Sequence, residues 1–393
     1  MQITKKANDK EKLAMAILAA QIGENGYKEI EKNNLEESVK KEFDDRNVVL
    51  LDSNNGSFLA VIDDKLYKIE NNNVNEVKAD LYINNESDLI NFRNEVNSGN
   101  SFEGKYIVLT SDIISTSEEW IPIGEYKNDS TIPEDPDNKY FSGIFNGMGH
   151  SISNVKIDST EKVKGLFGLN MGGTITNLSI VDCNIKGGIA TGGIAGYNYN
   201  GGKIINCKVS GNIEEIGTRM AGGIAGNNIK NSIIENCINL SSVSGPTLIG
   251  GITGLQQDNS YINSSCNIGN IVGNDTCGGI VGMSQGSTTL VKNCYNRANV
   301  KSTKTSGTIN LGGIAGRCDG GIIKNAYSLG NVEYSFNDCV GIIAGSNLSN
   351  GNIYNSCYWN TQDELNGVGR TFEATSTTTL LDNKEFNNIS SII

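Results

Sequence analysis

Histidine is nearly missing from this chain: His150 is the one histidine in 393 residues. An HExxH metallopeptidase helix is thereby excluded, and any histidine-based acyl transfer would have to use His150 itself. It lies in an NGMGHSI turn, where a structural role is expected. Proline is scarce, at 4 residues, and no cysteine precedes Cys183. No apolar run approaches the roughly 18 residues that a membrane-spanning helix needs. The best, Leu13 to Ile22, is short and contains Gln21. The first residues lack a positive region followed by an apolar core and a cleavage site. That leaves a cytosolic chain or one whose export segment has been removed. Positive charge is in deficit, with 32 basic against 44 acidic residues and a net charge of −12. A molecule that grips phosphate backbones carries a basic stripe, so neither nucleic acid nor an anionic membrane surface is an expected partner.

What is abundant is glycine, at 47 residues, set among Ile, Val, Asn, Ser and Thr. There is no Gly-X-Y period, which excludes collagen, and the apolar content is too high for a disordered polymer. Two marks alternate along the chain. One is a glycine-bracketed apolar pair: GLFG at Gly165–Gly168, then GGIAG or a close variant at Gly192–Gly196, Gly222–Gly226, Gly250–Gly254, Gly278–Gly282, Gly312–Gly316 and Gly341–Gly345. The other is an Ile-x-Asn-Cys-like step ending at Leu178, Cys207, Cys237, Cys266, Cys294, Ala326 and Cys357. Both marks recur seven times and stay in phase. Their period, about 30 residues, falls in the range of stacked repeat architectures.

A unit of that length with three short apolar stretches and no helical period cannot bury its own face, so units must stack. The expected fold is mainly β: a right-handed parallel β-solenoid, or β-helix, with equivalent strands about 4.8 Å apart. Ile194, Ile224, Ile252, Ile280, Ile314 and Ile343 should form one internal column. Asn177, Asn206, Asn236, Asn293 and Asn325 are expected at positive-φ corners, their amides bonding coil to coil. The slot shared by cysteine, Leu178 and Ala326 calls for a buried apolar side chain, so its thiols are read as free and packed. Zinc would need paired ligands such as C-x₂-C, which are missing, while disulfides between coils are sterically conceivable.

These marks resemble the GLUG repeat of bacterial surface proteins, found beside immunoglobulin A-specific metallopeptidase domains and in clostridial cell-surface proteins. The lead-in fits that resemblance: a helix at Asp88–Gly99, YIVLTSDI, WIPIG at Trp120–Gly124, and FSGIFNGMGHSISNV from Phe141 to Val155. It spans positions from about 82 to about 360 and implies an exported protein at the cell surface, which favours a removed export segment. Positions 1–80 read as a small α+β domain. One helix starts near Asn8, with Glu11 at the capping-box position, and a second carries Leu35, Val39 and Phe43 on one face. Strands follow at VVLLD, FLAVID and LYKIE, the first two split by Asn55-Gly56. This module is similar to a Gram-positive type IV pilin or pseudopilin lacking its hydrophobic half-helix. The expected domains are therefore 1–80, pilin-like; 81–360, the solenoid with its N-terminal cap; and 361–393, a C-terminal cap or tail.

Chemistry is thin. Asp182, Glu214, Glu215 and Glu235 fall at different coil positions and read as solvated residues rather than as the converging acids of a β-helix lyase. The acidic stretch Asp129–Asp137 lacks EF-hand spacing and reads as a solvated loop. No cofactor, metal site or catalytic residue is expected, and the protein is read as a non-enzyme. From the Gly-Gly mark to the cysteine slot the spacing is nearly constant, whereas from that slot to the next mark it varies widely. Variable length belongs in loops, and loops along one side of a solenoid form its recognition surface. The longest runs from Arg297 to Leu311, so Arg297, Lys301 and Lys304 are the candidate contacts for an acidic partner. The expectation is a surface or pilus-associated adhesin that binds a host-surface glycan or protein, with other pilins as partners through the N-terminal helix. The alternatives are a carbohydrate-active β-helix enzyme and a structural spacer.

Overall fold

The computed structural model describes residues 9–23, 26–27, 32–43, 48–53, 57–62, 65–70, 73–127, 135–160, 162–335, 338–358, 365–371 and 375–380. The chain divides into two units, Met1–Asp80 and Leu81–Ile393.

In the first unit, α1 (Asp9–Gln21) buries Leu13, Ala16 and Ile17, an i, i+3, i+4 set that makes one face apolar. Helix α2 (Lys32–Phe43) buries Leu35, Val39 and Phe43 in the same way. Both faces pack with Leu50, Phe58, Ala60, Ile62, Tyr67, Ile69 and Val74 of an antiparallel meander. Its strands are Val48–Ser53, Ser57–Ile62, Lys65–Glu70 and Asn73–Val77, each paired with the next. The fourth strand was not legible in NNNVNEV, whose one buried apolar contribution is Val74. Asn8, the Leu18 side chain and the Asn55-Gly56 turn lie outside the described residues.

The second unit is a parallel β-solenoid. The coil beginning at Lys203 runs through Lys203–Ile205, Lys208–Glu215, Met220–Gly222 and Ala225–Ile229. Successive coils pair in parallel, so these segments stack into sheets of 24, 7 and 8 strands. Nine strands from Tyr106–Leu109 to Asn352–Tyr358 form one unbroken ladder. Pairing begins earlier than the repeat marks, at Leu81–Ile83, and continues past residue 360 through Val368–Thr371 and Thr375–Leu380. Helix α3 (Glu86–Ser98), N-capped by Asn85 and stopped at Gly99 with φ 111°, buries Leu89, Phe92 and Val96 over the first coils. Phe92 meets Phe102, Phe141 and Phe145 at ring distances of 5.0 to 5.7 Å.

The six isoleucines stack as expected. Ile194, Ile224, Ile252, Ile280 and Ile314 each donate their N–H to the carbonyl of the next member at 2.9–3.0 Å, and all six side chains are buried. Asn177, Asn206, Asn236, Asn293 and Asn325 all occupy the left-handed region, with φ between 52° and 55°. Asn206 donates its amide to Asn177, and Asn325 to Asn293, each at 3.1 Å.

The cysteine column differs from the expectation. Cys266 is in register with Ile238 and Tyr295, and Cys357 with Tyr327, one residue beyond the slot. The positive-φ corner of the Cys266 coil is Ser264, with φ 49°, so Ser265 takes the internal slot. The column is Leu178, Cys207, Cys237, Ser265, Cys294 and Ala326, which keeps its small and buried character. All eight described cysteines are free and buried.

Two further ladders lie inside the solenoid. Asn170 donates to Asn198 and Asn198 to Asn228, both at 2.8 Å. Asn239 donates to Asn267 at 2.7 Å and Asn267 to Asn296 at 2.8 Å. Each of these amides except Asn228 also closes a turn of its own coil through a backbone carbonyl at 3.0 Å or less, as Asn198 does with Gly202. Buried amides are costly unless paired, and here pairing with the neighbouring coil meets that cost except at the end of the first ladder, where Asn170 Oδ1 has no partner among the described residues. The second ladder is one of two reasons for two glycines: a Cβ at Gly223 would collide with the Asn239 side chain and the Gly251 carbonyl, and one at Gly251 with the Gly279 carbonyl and the Asn267 side chain. The two sequence marks are thus coupled through space.

Candidate ligand-binding surface

Four residues before the Gly-Gly mark, each of three successive coils turns a corner, at Thr218, Pro246 and Asn274. In the next coil that corner is lengthened, and its chain leaves the strand Val300–Ser302 to return at Asn310–Gly312. The longer loop stands beside the shorter ones and opens a groove of about 520 Å³, lined by Thr218, Pro246, Thr247, Asn274, Asp275 and residues 303–306. Ser302 Oγ donates to the Asn274 carbonyl at 2.8 Å, and Thr303 Oγ1 bonds Asn274 Oδ1, which fastens the loop to the coil before it. Lys304 Nζ bonds Asp275 and also donates to the Thr308 carbonyl at 3.0 Å.

The three sequence candidates are not brought together. Lys304 lines the groove, but its charge is matched by Asp275. Lys301 lies in a strand, not in the loop, and faces Glu333 of the next coil at 3.4 Å. Arg297 is exposed on the outer face of the cysteine-step ladder, in the coil of Tyr295. The groove is therefore rich in hydroxyls, with one side-chain amide from Asn274 and with Lys304 matched by Asp275, which suits a hydrogen-bonding ligand better than a polyanion. Sequence reading missed Thr218, Pro246, Thr247, Asn274 and Asp275. Their constant offset from the glycine mark was the available signal.

Beneath this corner lies Glu215, only 1% exposed. Thr191 Oγ1 donates to it at 2.8 Å and the Gly217 N–H at 3.0 Å. Burial pushes its pKa up to about 7, against the hydrogen bonds that stabilise the anion. The other acids do not join it. Glu214 faces Lys186 at 3.7 Å, Glu235 accepts from Asn263 at 2.8 Å in a different strand column, and Asp182 is exposed. His150 Nδ1 lies 3.5 Å from Asp112, and the Ser151 hydroxyl bonds Asp112 as well, not the imidazole. Among the described residues no group of three His, Cys, Asp or Glu side chains is arranged to hold a metal. Most of Asp129–Asp137 lies outside the described residues. Burial pushes the thiols of Cys183, Cys277, Cys294 and Cys318 up to about 12, away from the reactive thiolate form.

Residues 187–214 match the GLUG motif. The match covers one coil, from the strand that carries Cys183 and Asn184 to the one that ends at Glu215. A second similarity is to halomucin of Haloquadratum walsbyi, 40% identical over 91 residues. That is 22% of this chain and 1% of halomucin, so the chain spans a small fraction of that relative. Among solved structures the chain resembles a candidate immunoglobulin A1 protease from Bacteroides ovatus. The TM-score is 0.55 at 21% identity, over 78% of this chain and 86% of that one. At that identity the likeness is one of fold. Among the described residues no helix is long and apolar enough to cross a membrane.

Proposed function

We propose that this chain is a non-enzymatic, extracellular surface protein whose solenoid presents a binding groove to a glycan, with the N-terminal unit as a pilin-like module joining it to a larger surface assembly. The observation that carries this reading is the groove at the lengthened corner. Inside the coils similar residue types recur, because each side chain must fit the columns formed by its neighbours. At this corner the chain lengthens, and the extra residues Thr303, Thr305 and Ser306 add hydroxyls to a groove shared with Pro246, Thr247 and the Asn274 amide. Such a surface offers donors and acceptors to sugar hydroxyls and leaves the scaffold untouched. The GLUG motif and the halomucin similarity support a surface-exposed repeat protein.

The test is a glycan array and cell-binding assay with the protein and a variant whose groove is filled, Thr247→Trp. Binding that is lost in the filled variant, with an unchanged circular dichroism spectrum, supports the reading. Equal binding by both proteins refutes the groove as the site. Release of reducing ends or unsaturated products from a bound polysaccharide would instead establish an enzyme, with Glu215 as the first residue to replace.

A further inference from the structure

On the outer surface of the solenoid, far along the coil from the groove, the Asn corner carries a different chemistry. Lys292 and Lys324 are in register on one side of it. Tyr295 and Tyr327 are in register on the other, with Arg297 beyond them. Between these columns stand the corner amides Asn293 and Asn325, bonded at 3.1 Å and partly open to solvent. The lysines and tyrosines are half-buried and Arg297 is exposed. Lys292 registers against Asn263 of one adjoining coil and Lys324 of the other, so no carboxylate shares its column in either. Lys324 lies over the Tyr354 ring at 5.2 Å. By contrast Lys186, Lys301, Lys304 and Arg317 each have a carboxylate within 4 Å.

We infer that this corner is a binding strip for an anionic polysaccharide, separate from the groove. Among the described residues none of these three cations has an ion-pair partner, and on a chain of net charge −12 that is informative, because the surrounding field opposes non-specific attraction of polyanions. Two of the three cations, Lys292 and Lys324, stack one coil, about 4.8 Å, apart along the solenoid axis, and Arg297 stands beside them, which suits a linear polymer with charges at intervals. The tyrosines supply stacking faces and the exposed amides supply hydrogen bonds to hydroxyls. This inference does not depend on the groove, since none of its residues lines it.

The test uses the full chain with three probes: polygalacturonate, which carries carboxylates; heparin, which carries sulfates; and neutral dextran. Binding is measured by biolayer interferometry at low and high salt. The protein is expected to bind one or both polyanions in a salt-sensitive way and to ignore dextran, and the two polyanions distinguish carboxylate from sulfate recognition. Lys292→Gln/Lys324→Gln/Arg297→Gln should weaken binding about tenfold, three exposed pairs being individually weak and jointly measurable. Tyr295→Ala/Tyr327→Ala should also weaken it while leaving the salt sensitivity intact. Lys301→Ser/Lys304→Ser should bind the polyanions as the parent does while testing the groove. Failure of the parent to bind either polyanion at low salt overturns the inference, as does unchanged binding by the triple variant with its circular dichroism spectrum preserved. Capture of an acidic protein on this strip with no polyanion binding also overturns it.

Discussion

Replacing Glu215 with glutamine removes a titratable group from the solenoid wall while keeping its shape. The carboxyl is 1% exposed and accepts from Thr191 Oγ1 and the Gly217 N–H, and a glutamine Oε1 can accept from both. Burial, the largest influence, raises its pKa from 4.5 to about 7. A carboxyl with a raised folded-state pKa binds its proton more tightly folded than unfolded. Its contribution is fully present below about 4.5 and is lost as pH rises through about 7. At 1.36 kcal/mol per pH unit the displacement bounds that loss at about 3 kcal/mol. Glu215→Gln is therefore expected to match the parent below about pH 4.5, to exceed it by roughly 1 kcal/mol at pH 5 and by up to about 3 kcal/mol above pH 8. Because coils open locally, the assay is hydrogen exchange of peptides covering residues 208–222 from pH 5 to 9, after correction for intrinsic exchange, with urea denaturation alongside. Parallel pH profiles for the two proteins across that range would refute the reasoning.

Three other outcomes follow from the ladders and thiols. Asn198→Leu takes one of two bonds from the Asn170 amide and from the Gly202 carbonyl, which keep Gly173 and Ile233, and removes the donor to Asn228 Oδ1. The expected loss is about 3 kcal/mol by urea denaturation, and a loss under about 1 kcal/mol would show that the ladder is dispensable. Gly223→Ala drives a methyl into Asn239 and should cost about 1–3 kcal/mol, and the Gly223→Ala/Asn239→Ala pair should cost clearly less than the sum of the single changes. The eight described thiols should resist a thiol reagent at pH 8 until the protein unfolds, and denatured, unreduced protein should then titrate as free thiol; rapid native labelling would contradict the burial described.

The solenoid was legible because a stacked fold writes its period directly into sequence: the column that needs isoleucine needs it in every coil. The asparagine corners were legible for the same reason, since few other residues tolerate φ near 52°. The internal ladders through Asn198 and Asn239 were missed because they sit next to marks that already seemed explained. Cys266 was misplaced because the letter was followed instead of the count, and Ser264 had replaced asparagine at the corner. The binding residues were the least legible. Lys301 and Lys304 look like available cations in a linear reading, yet each meets an acid that stacking brings alongside, Glu333 and Asp275. Only the register between coils reveals which cations, such as Lys292 and Lys324, have no such neighbour in their column.

Stacking equal units makes molecular length a heritable variable. Excising the segment 225–252 joins Ile224 to Thr253 and restores an intact GGITG mark. Asn198 would then meet Gln256, and Val209 would meet Asn267, contacts of the kind that Asn228 makes with Gln256 and Val209 with Asn239 in the present chain. Duplication of the same segment works in reverse. Recombination between coils can thus lengthen or shorten the reach of such a protein in steps of about 4.8 Å. No single coil has to learn a new way to fold.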